Sequence, residues 1–536
     1  MPGACVLAID LGTSAVKVAL VTVEGEVVAL ETEETALFVL PDGGAEQDPE
    51  DWWRAIKVAT GRLMARGLIP PQAIIAVSCT AQWSGTVPVD RQGRALGRAI
   101  IWMDTRGAPY VRQITGGLFS VSGYGLRRLW QWIRKTGGVP AHSGKDSLAH
   151  ILFLKRERPD LYGAAFKFLE PKDYLNLRLT GQFAASYDSI TLHWLTDNRN
   201  PQAIHYDQEL LRLAGVEEEK LPPLRAATDI LGSLRAEAAE ELGLPSGLPV
   251  VMGTPDVLSA TLGSGAVADY QAHLYVGTSS WLTCHVPFKK TDLWQNMASL
   301  PAAVPGRYFV ANEQETAGAA LTFLRDNILY FGRGGDVAEK RDAYRLFDRL
   351  AGEAPPGSGG VIFTPWLYGE RTPVENHLLR AGFYNLSLRT DLPQLVRAVL
   401  EGVAFNTRWL LEAVEKFVGR RLDPIRFIGG GARSEIWSQI FADVLDRTIE
   451  GVEAPVEANV RGAAFLAVVA LGLGDFSDLS RRVRIAQTFR PRAETRAIYD
   501  ELFWAYRQIY RLNRGLYARL NRSPGNKGGA PRLQTR

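Results

Sequence analysis

Two copies of Gly-Thr-Ser sit in matched surroundings, one in each half of the chain. The first lies in Ala8-Ile9-Asp10-Leu11-Gly12-Thr13-Ser14-Ala15-Val16-Lys17, the second in Tyr275-Val276-Gly277-Thr278-Ser279-Ser280-Trp281. Each is an apolar run, a glycine turn with hydroxyls, and a second run with β-branched or aromatic residues, the pattern of a β-hairpin. Successive N–H groups in such a turn make a concavity that holds anions. A single turn of this kind often does no more than join two strands. A matched pair points to two related units gripping one polyphosphate.

Carboxylates accompany both turns. Asp10 ends the strand before the first, where a Mg²⁺ shared with a phosphate would explain it. Lys17, on the returning strand, reads equally as a phosphate contact or a cation on an exposed strand face. Asp256 lies in Gly253-Thr254-Pro255-Asp256-Val257-Leu258, at the start of a helix and shortly before the second turn. It reads as a helix cap, or as a general base that removes the proton of an alcohol attacking a γ-phosphate. Both roles can hold at once.

A third glycine turn, Gly429-Gly430-Gly431-Ala432, joins a predicted strand over 425–428 to a helix carrying Ile436, Ile440, Phe441 and Val444 on one face. Glycines there let a base or ribose approach the backbone, and the following helix N-terminus favours anions. The chain has no Gly-x-x-x-x-Gly-Lys-Ser/Thr loop and no protein-kinase catalytic loop. The glycines at 263–265 follow a helix rather than a strand, which argues against a dinucleotide fingerprint.

Positioning these groups calls for an α/β chain. The pattern predicts strands over 15–22, 26–31, 73–79, 85–89 and 249–252, and a hairpin over 271–286. It predicts helices over 49–66 (capped by Asp48), 147–157, 171–179, 313–326, 391–418 and 491–520. The run Ala354-Pro355-Pro356-Gly357-Ser358-Gly359-Gly360 reads as a flexible insert. With 536 residues, two or three domains are expected. The division is read as 1–253, 254–522 and a disordered basic tail over 523–536.

Composition, at 46% hydrophobic and 22% charged, is that of an ordinary globular chain, and a net charge of +3 gives no case for nucleic acid. Cys5, Cys79 and Cys284 read as buried free thiols, and no histidine pair has metal-ligand spacing. No secretory signal opens the chain, and the apolar run 463–473 is too short to span a bilayer. These features lead to the expectation of a cytoplasmic protein with no membrane partner.

Taken together, Asp10-Leu11-Gly12-Thr13-Ser14, Gly277-Thr278-Ser279, Gly429-Gly430-Gly431-Ala432 and Asp256 resemble the FGGY carbohydrate kinases, and within them most nearly the xylulokinases. Pro171-Lys172-Asp173-Tyr174 and Tyr368-Gly369-Glu370-Arg371-Thr372-Pro373 also look typical of that family. The resemblance runs over about residues 4–515. It implies two ribonuclease-H-like domains of the actin and sugar-kinase superfamily flanking a central cleft, with sugar against the first and ATP against the second. It implies Asp256 as base, Asp10 at Mg²⁺, Gly12, Thr13, Ser14, Lys17, Gly277, Thr278 and Ser279 at phosphates, and residues 429–432 at adenosine. Homodimers are common in that family. The implied reaction makes ADP and a sugar phosphate from ATP and a small sugar, foremost a ketopentose such as D-xylulose.

The sugar side departs from the xylulokinase pattern. Gln82-Trp83-Ser84-Gly85 stands where that pattern has Gln-Met-His-Gly, and Val257 follows Asp256 where it has Asn. Loss of hydrogen-bonding groups changes which polyol a site accepts, so ribulose, gluconate or a glycerol-like acceptor stands beside xylulose. Asp104 and Arg106 read as sugar contacts or as a structural ion pair, and Trp83 as a stacking platform or core. Two non-enzymatic alternatives are an ATP-switched scaffold and a sugar sensor on the same fold.

Overall fold

The computed structural model describes residues 3–329 and 337–521; the tail predicted over 523–536 lies outside them. Two large sheets organise the chain, and both are built on the same plan. In the first, β1 (Cys5–Leu11) pairs antiparallel with β2 (Ala15–Thr22), and β2 with β3 (Val27–Glu34). On its other side β1 runs parallel to β4 (Ile74–Ala81), which runs parallel to β5 (Pro249–Val251). In the second, β6 (Ala272–Val276) pairs antiparallel with β7 (Ser280–Val286), and β7 with β8 (Tyr308–Ala311). β6 is in turn parallel to β9 (Ile425–Ile428), and β9 to β10 (Ile449–Val452). The two Gly-Thr-Ser turns therefore occupy the same place in two equivalent sheets.

Central strands buried on both faces read as continuous apolar runs. β1 is buried along its whole length, as is β7. α1 (Pro49–Ala65) covers the first sheet. Its cap is the predicted one, with Asp48 accepting from Glu50 N, and Trp52, Ile56 and Ala59 are all buried.

α2 (Asp256–Gly263) follows β5. The long α3 (Leu392–Val418) starts in a capping box between Asp391 and Gln394. α4 (Glu435–Leu445) is capped by Ser434, which accepts from Trp437 N. α5 (Ala458–Ala470) crosses back, placing Val460, Ala463, Ala464 and Ala467 in the core that Val6 and Ala8 of the first sheet share. The crossing of α2 and α5 is close enough to require glycine. A Cβ on Gly263 would lie 1.7 Å from Ala458 O, and one on Gly462 1.8 Å from Ser259 O.

The segment 354–360 is not the flexible insert that its composition suggests. Glu401 of α3 accepts from Gly357 N at 2.9 Å and from Ser358 Oγ at 2.7 Å, and Ser358 is fully buried. A buried carboxylate gives the turn partners that a count of Gly and Pro does not reveal. The predicted helix over 313–326 starts later, at Gly318, and its last turn, Leu324–Ile328, widens into a π-helix. The three cysteines are buried and unbridged. Burial pushes the Cys79 and Cys284 thiols up to about 12. Among the described residues no helix is long and apolar enough to cross a membrane.

Candidate active site

The two hairpins bring their polar groups together. Asp10, at the end of β1, is buried and accepts from Lys17 Nζ of β2 at 3.2 Å. Asn459, on the first turn of α5, reaches its other oxygen at 3.5 Å. Lys17 also feels the charge of Asp256 and lies near Tyr275 of the second hairpin, and its pKa is raised chiefly by Asp10. Tyr275 stacks on Trp281 across the β6–β7 pair, with ring centroids 3.9 Å apart. Asp10, Lys17, Asp256 and Tyr275 thus converge from both halves of the chain.

Asp256 is the first residue of α2, and its Oδ1 accepts from Val257 N at 2.8 Å. The cap position belongs to Pro255, so capping does not account for the carboxylate. Its approach is fixed by Gly253, whose φ is +71° and whose Cβ would sit 2.1 Å from Cys79 O. Upstream, Lys172 and Asn176 both donate to Met252 O, at 2.8 and 2.7 Å. Desolvation, with the charges of Asp10 and Glu313, pushes the Asp256 carboxyl up to about 7 against a weaker pull from Lys17. A carboxylate with that affinity can take a proton near neutral pH.

The two turns differ in their hydrogen bonding. Gly12 N and Gly277 N close their own turns onto Ala15 O and Ser279 O, each at 2.9 Å. The N–H groups of residues 13, 14, 278 and 279 have no partner among the described residues, nor do the hydroxyls of Ser14, Thr278 and Ser279. The Thr13 hydroxyl differs. It donates to Gln82 Oε1 and accepts from Trp102 Nε1, both at 2.9 Å, so it has no proton left for a phosphate. Gln82 continues this network to Gln47, whose Nε2 returns to Thr13 O.

Beside the second turn lies the glycine run. Gly429 adopts φ +88°, ψ −176°, a conformation essentially confined to glycine, and its Cβ would lie 2.5 Å from Val276 O. A Cβ on Gly431 would strike Val276 Cγ1 at 2.7 Å, whereas one on Gly430 meets nothing within 4 Å. The run is packed on one side and open at Gly430; Ala432 is half-buried. Among the described residues no three His, Cys, Asp or Glu side chains cluster as a metal cage. Asp10 and Asp256, with Lys17 opposing them, nonetheless suit a Mg²⁺ that takes its remaining ligands from phosphate and water.

The model of the N-terminal domain of the FGGY family of carbohydrate kinases matches residues 5–263, and that of the C-terminal domain residues 272–471. The chain belongs to this family. A xylulose kinase of Staphylococcus epidermidis is 28% identical over 520 residues, covering 96% of this chain and 98% of its own. A gluconokinase of Bacillus subtilis is 25% identical over 515 residues, covering 96% and 97%. The solved ligand-bound xylulose kinase of Lactobacillus acidophilus superposes with a TM-score of 0.83 at 25% identity, over 96% of this chain and 99% of that one. The protein is a sugar kinase of the actin-like two-domain fold, and membership implies ATP as its phosphate donor.

In this FGGY kinase the residues named from sequence as sugar contacts fall into two groups. Asp104 is buried and holds Ala45 N at 3.0 Å, Arg106 N at 2.8 Å and Arg106 Nε at 2.9 Å. Arg106 also bonds Glu46 at 2.7 Å and lies over the Phe153 ring. The geometry at these two is that of the structural ion pair. Gln82 is occupied by the Thr13 network, and Trp83 anchors its indole on Ser189 O at 2.9 Å. Ser84 holds a left-handed φ of 62° and donates to Lys145 O at 2.7 Å.

Four further charged residues, Arg371, Glu313, Glu315 and Lys145, converge here without a sequence signal that singles them out. Arg371 Nε and Nη2 bond Glu315 Oε1 at 3.0 and 2.8 Å, and its Nη1 bonds Glu313. Glu313 acts on Asp256. Lys145 stands over the Trp102 ring, 5.9 Å from its centroid. Arg371 lies in a stretch that resembles the family, but its partners are distant in sequence and follow no period.

Proposed function

We propose that this kinase transfers the γ-phosphoryl group of ATP to a hydroxyl of a ketopentose such as D-xylulose. The observation that carries the reading is Asp256, a desolvated carboxylate with near-neutral proton affinity between two phosphate-type turns. In this reading Asp256 accepts the proton of the attacking hydroxyl. Ser14, Thr278 and Ser279, with the free N–H groups of residues 13, 14, 278 and 279, orient the phosphates. Lys17 bears on the same charge. Gly12 and Gly277 shape the turns, and Gly429, Gly430, Gly431 and Ala432 bound the adenosine. Asp10 would hold Mg²⁺, which when bound neutralises charge on the transferring group. Asp104 and Arg106 support the sugar wall, and Gln82, Trp83 and Ser84 form its turn. The similarity to xylulose kinases supports the ketopentose, and the similarity to a gluconokinase keeps sugar acids in the panel.

The test is ADP release with Mg·ATP across ketopentoses, polyols and sugar acids, with Asp256→Asn as control. Sugar-dependent release that is strongest on D-xylulose and collapses in the variant is the expected result. Faster turnover of a sugar acid would replace the substrate and keep the mechanism. ATP binding with no sugar-dependent release would favour a non-catalytic scaffold or sensor.

A further inference from the structure

Lys145 is the one cation at the sugar side whose ammonium makes no hydrogen bond among the described residues. Its nearest carboxylate, Glu315, is 4.0 Å away, and Arg371 already holds the facing oxygen. Burial and the Arg371 charge lower its proton affinity, while Glu315 and Glu313 raise it. About a quarter of the side chain, 26%, stays open, enough to meet a ligand.

Its backbone is placed by two strained or crowded residues. Gly144 adopts φ +78°, and a Cβ there would lie 2.3 Å from Ala108 N. Ser84, itself left-handed, fixes Lys145 O. The aromatic face beneath the ammonium belongs to Trp102, whose indole N–H holds Thr13 of the first turn. Trp102 thereby links Lys145 to the first Gly-Thr-Ser turn. An ammonium that burial has partly stripped of water is less favourable than one fully hydrated. It becomes favourable when a ligand oxygen completes it.

We infer that Lys145 is a specificity-determining contact that donates to an oxygen of the acceptor away from the attacking hydroxyl. The inference rests on the sugar-kinase reading above. The oxygen is either a ketose carbonyl or the carboxylate of a sugar acid, which present the same acceptor chemistry to an ammonium. Arg371, by contrast, is saturated by Glu313 and Glu315, and Arg106 by Asp104 and Glu46.

The experiment measures KM and kcat for D-xylulose, D-ribulose, D-gluconate and D-arabinitol, and KM for ATP, in wild type, Lys145→Met and Lys145→Arg. Lys145→Met is expected to raise the KM of the preferred acceptor about 10–100-fold with KM for ATP unchanged, the range of a charged hydrogen bond. Lys145→Arg is expected to restore most of that loss. A loss confined to gluconate assigns the carboxylate, and a loss confined to the ketoses assigns the carbonyl. Equal KM for every acceptor in wild type and Lys145→Met overturns the inference alone. So does an equal loss in both variants accompanied by a raised KM for ATP, since that is a structural role. Wild-type protein that turns over no acceptor overturns the functional reading and this inference with it.

Discussion

Replacing Asp256 by Asn tests the proposed chemistry and its electrostatic cause together. The variant keeps size and shape but cannot accept a proton. General-base catalysis contributes roughly 10²–10⁴-fold, so turnover should fall by about that factor while ATP still binds. The same substitution should alter stability. The Asp256 carboxyl moves from an ordinary 3.8 to about 7 on folding. At about 1.4 kcal/mol per tenfold change in proton affinity, this corresponds to at most ~4 kcal/mol. Because the folded value is raised, the stabilisation is complete below pH 4 and is lost as pH rises to 7. In ligand-free protein the melting temperature of wild type should therefore fall relative to Asp256→Asn between pH 4 and 7, then run parallel above. The assay is thermal melting of both proteins across that range, with ADP release measured at pH 8. A constant gap between pH 5 and 8 would show that Asp256 is an ordinary carboxylate. Near-normal turnover of the variant would remove it as the base.

Neighbouring charges should move that window in opposite directions. Lys17 lowers the proton affinity of Asp256 and Asp10 raises it. Lys17→Met should extend the pH-dependent loss of stability above 7, and Asp10→Asn should end it below 7, read by the same melts. Asp10→Asn should also raise the Mg²⁺ concentration needed for half-maximal ADP release. Gly462→Ala places a methyl 1.8 Å from Ser259 O at the α2–α5 crossing. It should cost about 1–3 kcal/mol or more, seen as a lowered melting temperature. Glu401→Ala leaves the buried Arg397 without its partner at 2.7 Å and frees the turn at Gly357 and Ser358. A loss of about 3–5 kcal/mol is expected, with proteolysis appearing first at 354–360.

The sheets were legible because their signals are local. An apolar strand, a glycine turn and a second strand run over Cys5–Thr22 in the first half and Ala272–Val286 in the second, and the doubled pattern reports the doubled sheet without any tertiary knowledge. The position of Asp256 was legible for a similar reason, at a strand-to-helix junction in an apolar stretch. The surroundings of Asp104 and Arg106 were not. From their types alone Asp104 and Arg106 read as sugar contacts or as an ion pair, and the partners that decide for the pair, Glu46 and Ala45 N, lie some sixty residues earlier. The turn at 354–360 shows the same limit: Gly and Pro content records conformational freedom, but the Glu401 carboxylate that removes it lies one helix later.

Thr13 and Ser84 carry the strongest argument about how this site is built. Both have the residue type of a ligand donor, and both hydroxyl protons are directed inward, to Gln82 and to Lys145 O. A hydroxyl has one proton, so each of these residues can receive a bond from a ligand but cannot give one. The network through Gln82, Gln47 and Trp102 instead holds the first turn rigid against the wall on which Lys145 stands. The second turn lacks such a network: its Thr278 backbone carbonyl accepts the N–H groups of Ala317 and Ala319, leaving the side chain open. Two copies of one motif therefore do different work. In the proposed reaction the first turn, braced through Thr13, offers phosphates the Ser14 hydroxyl and the N–H groups of residues 13 and 14, and the second offers both of its hydroxyls.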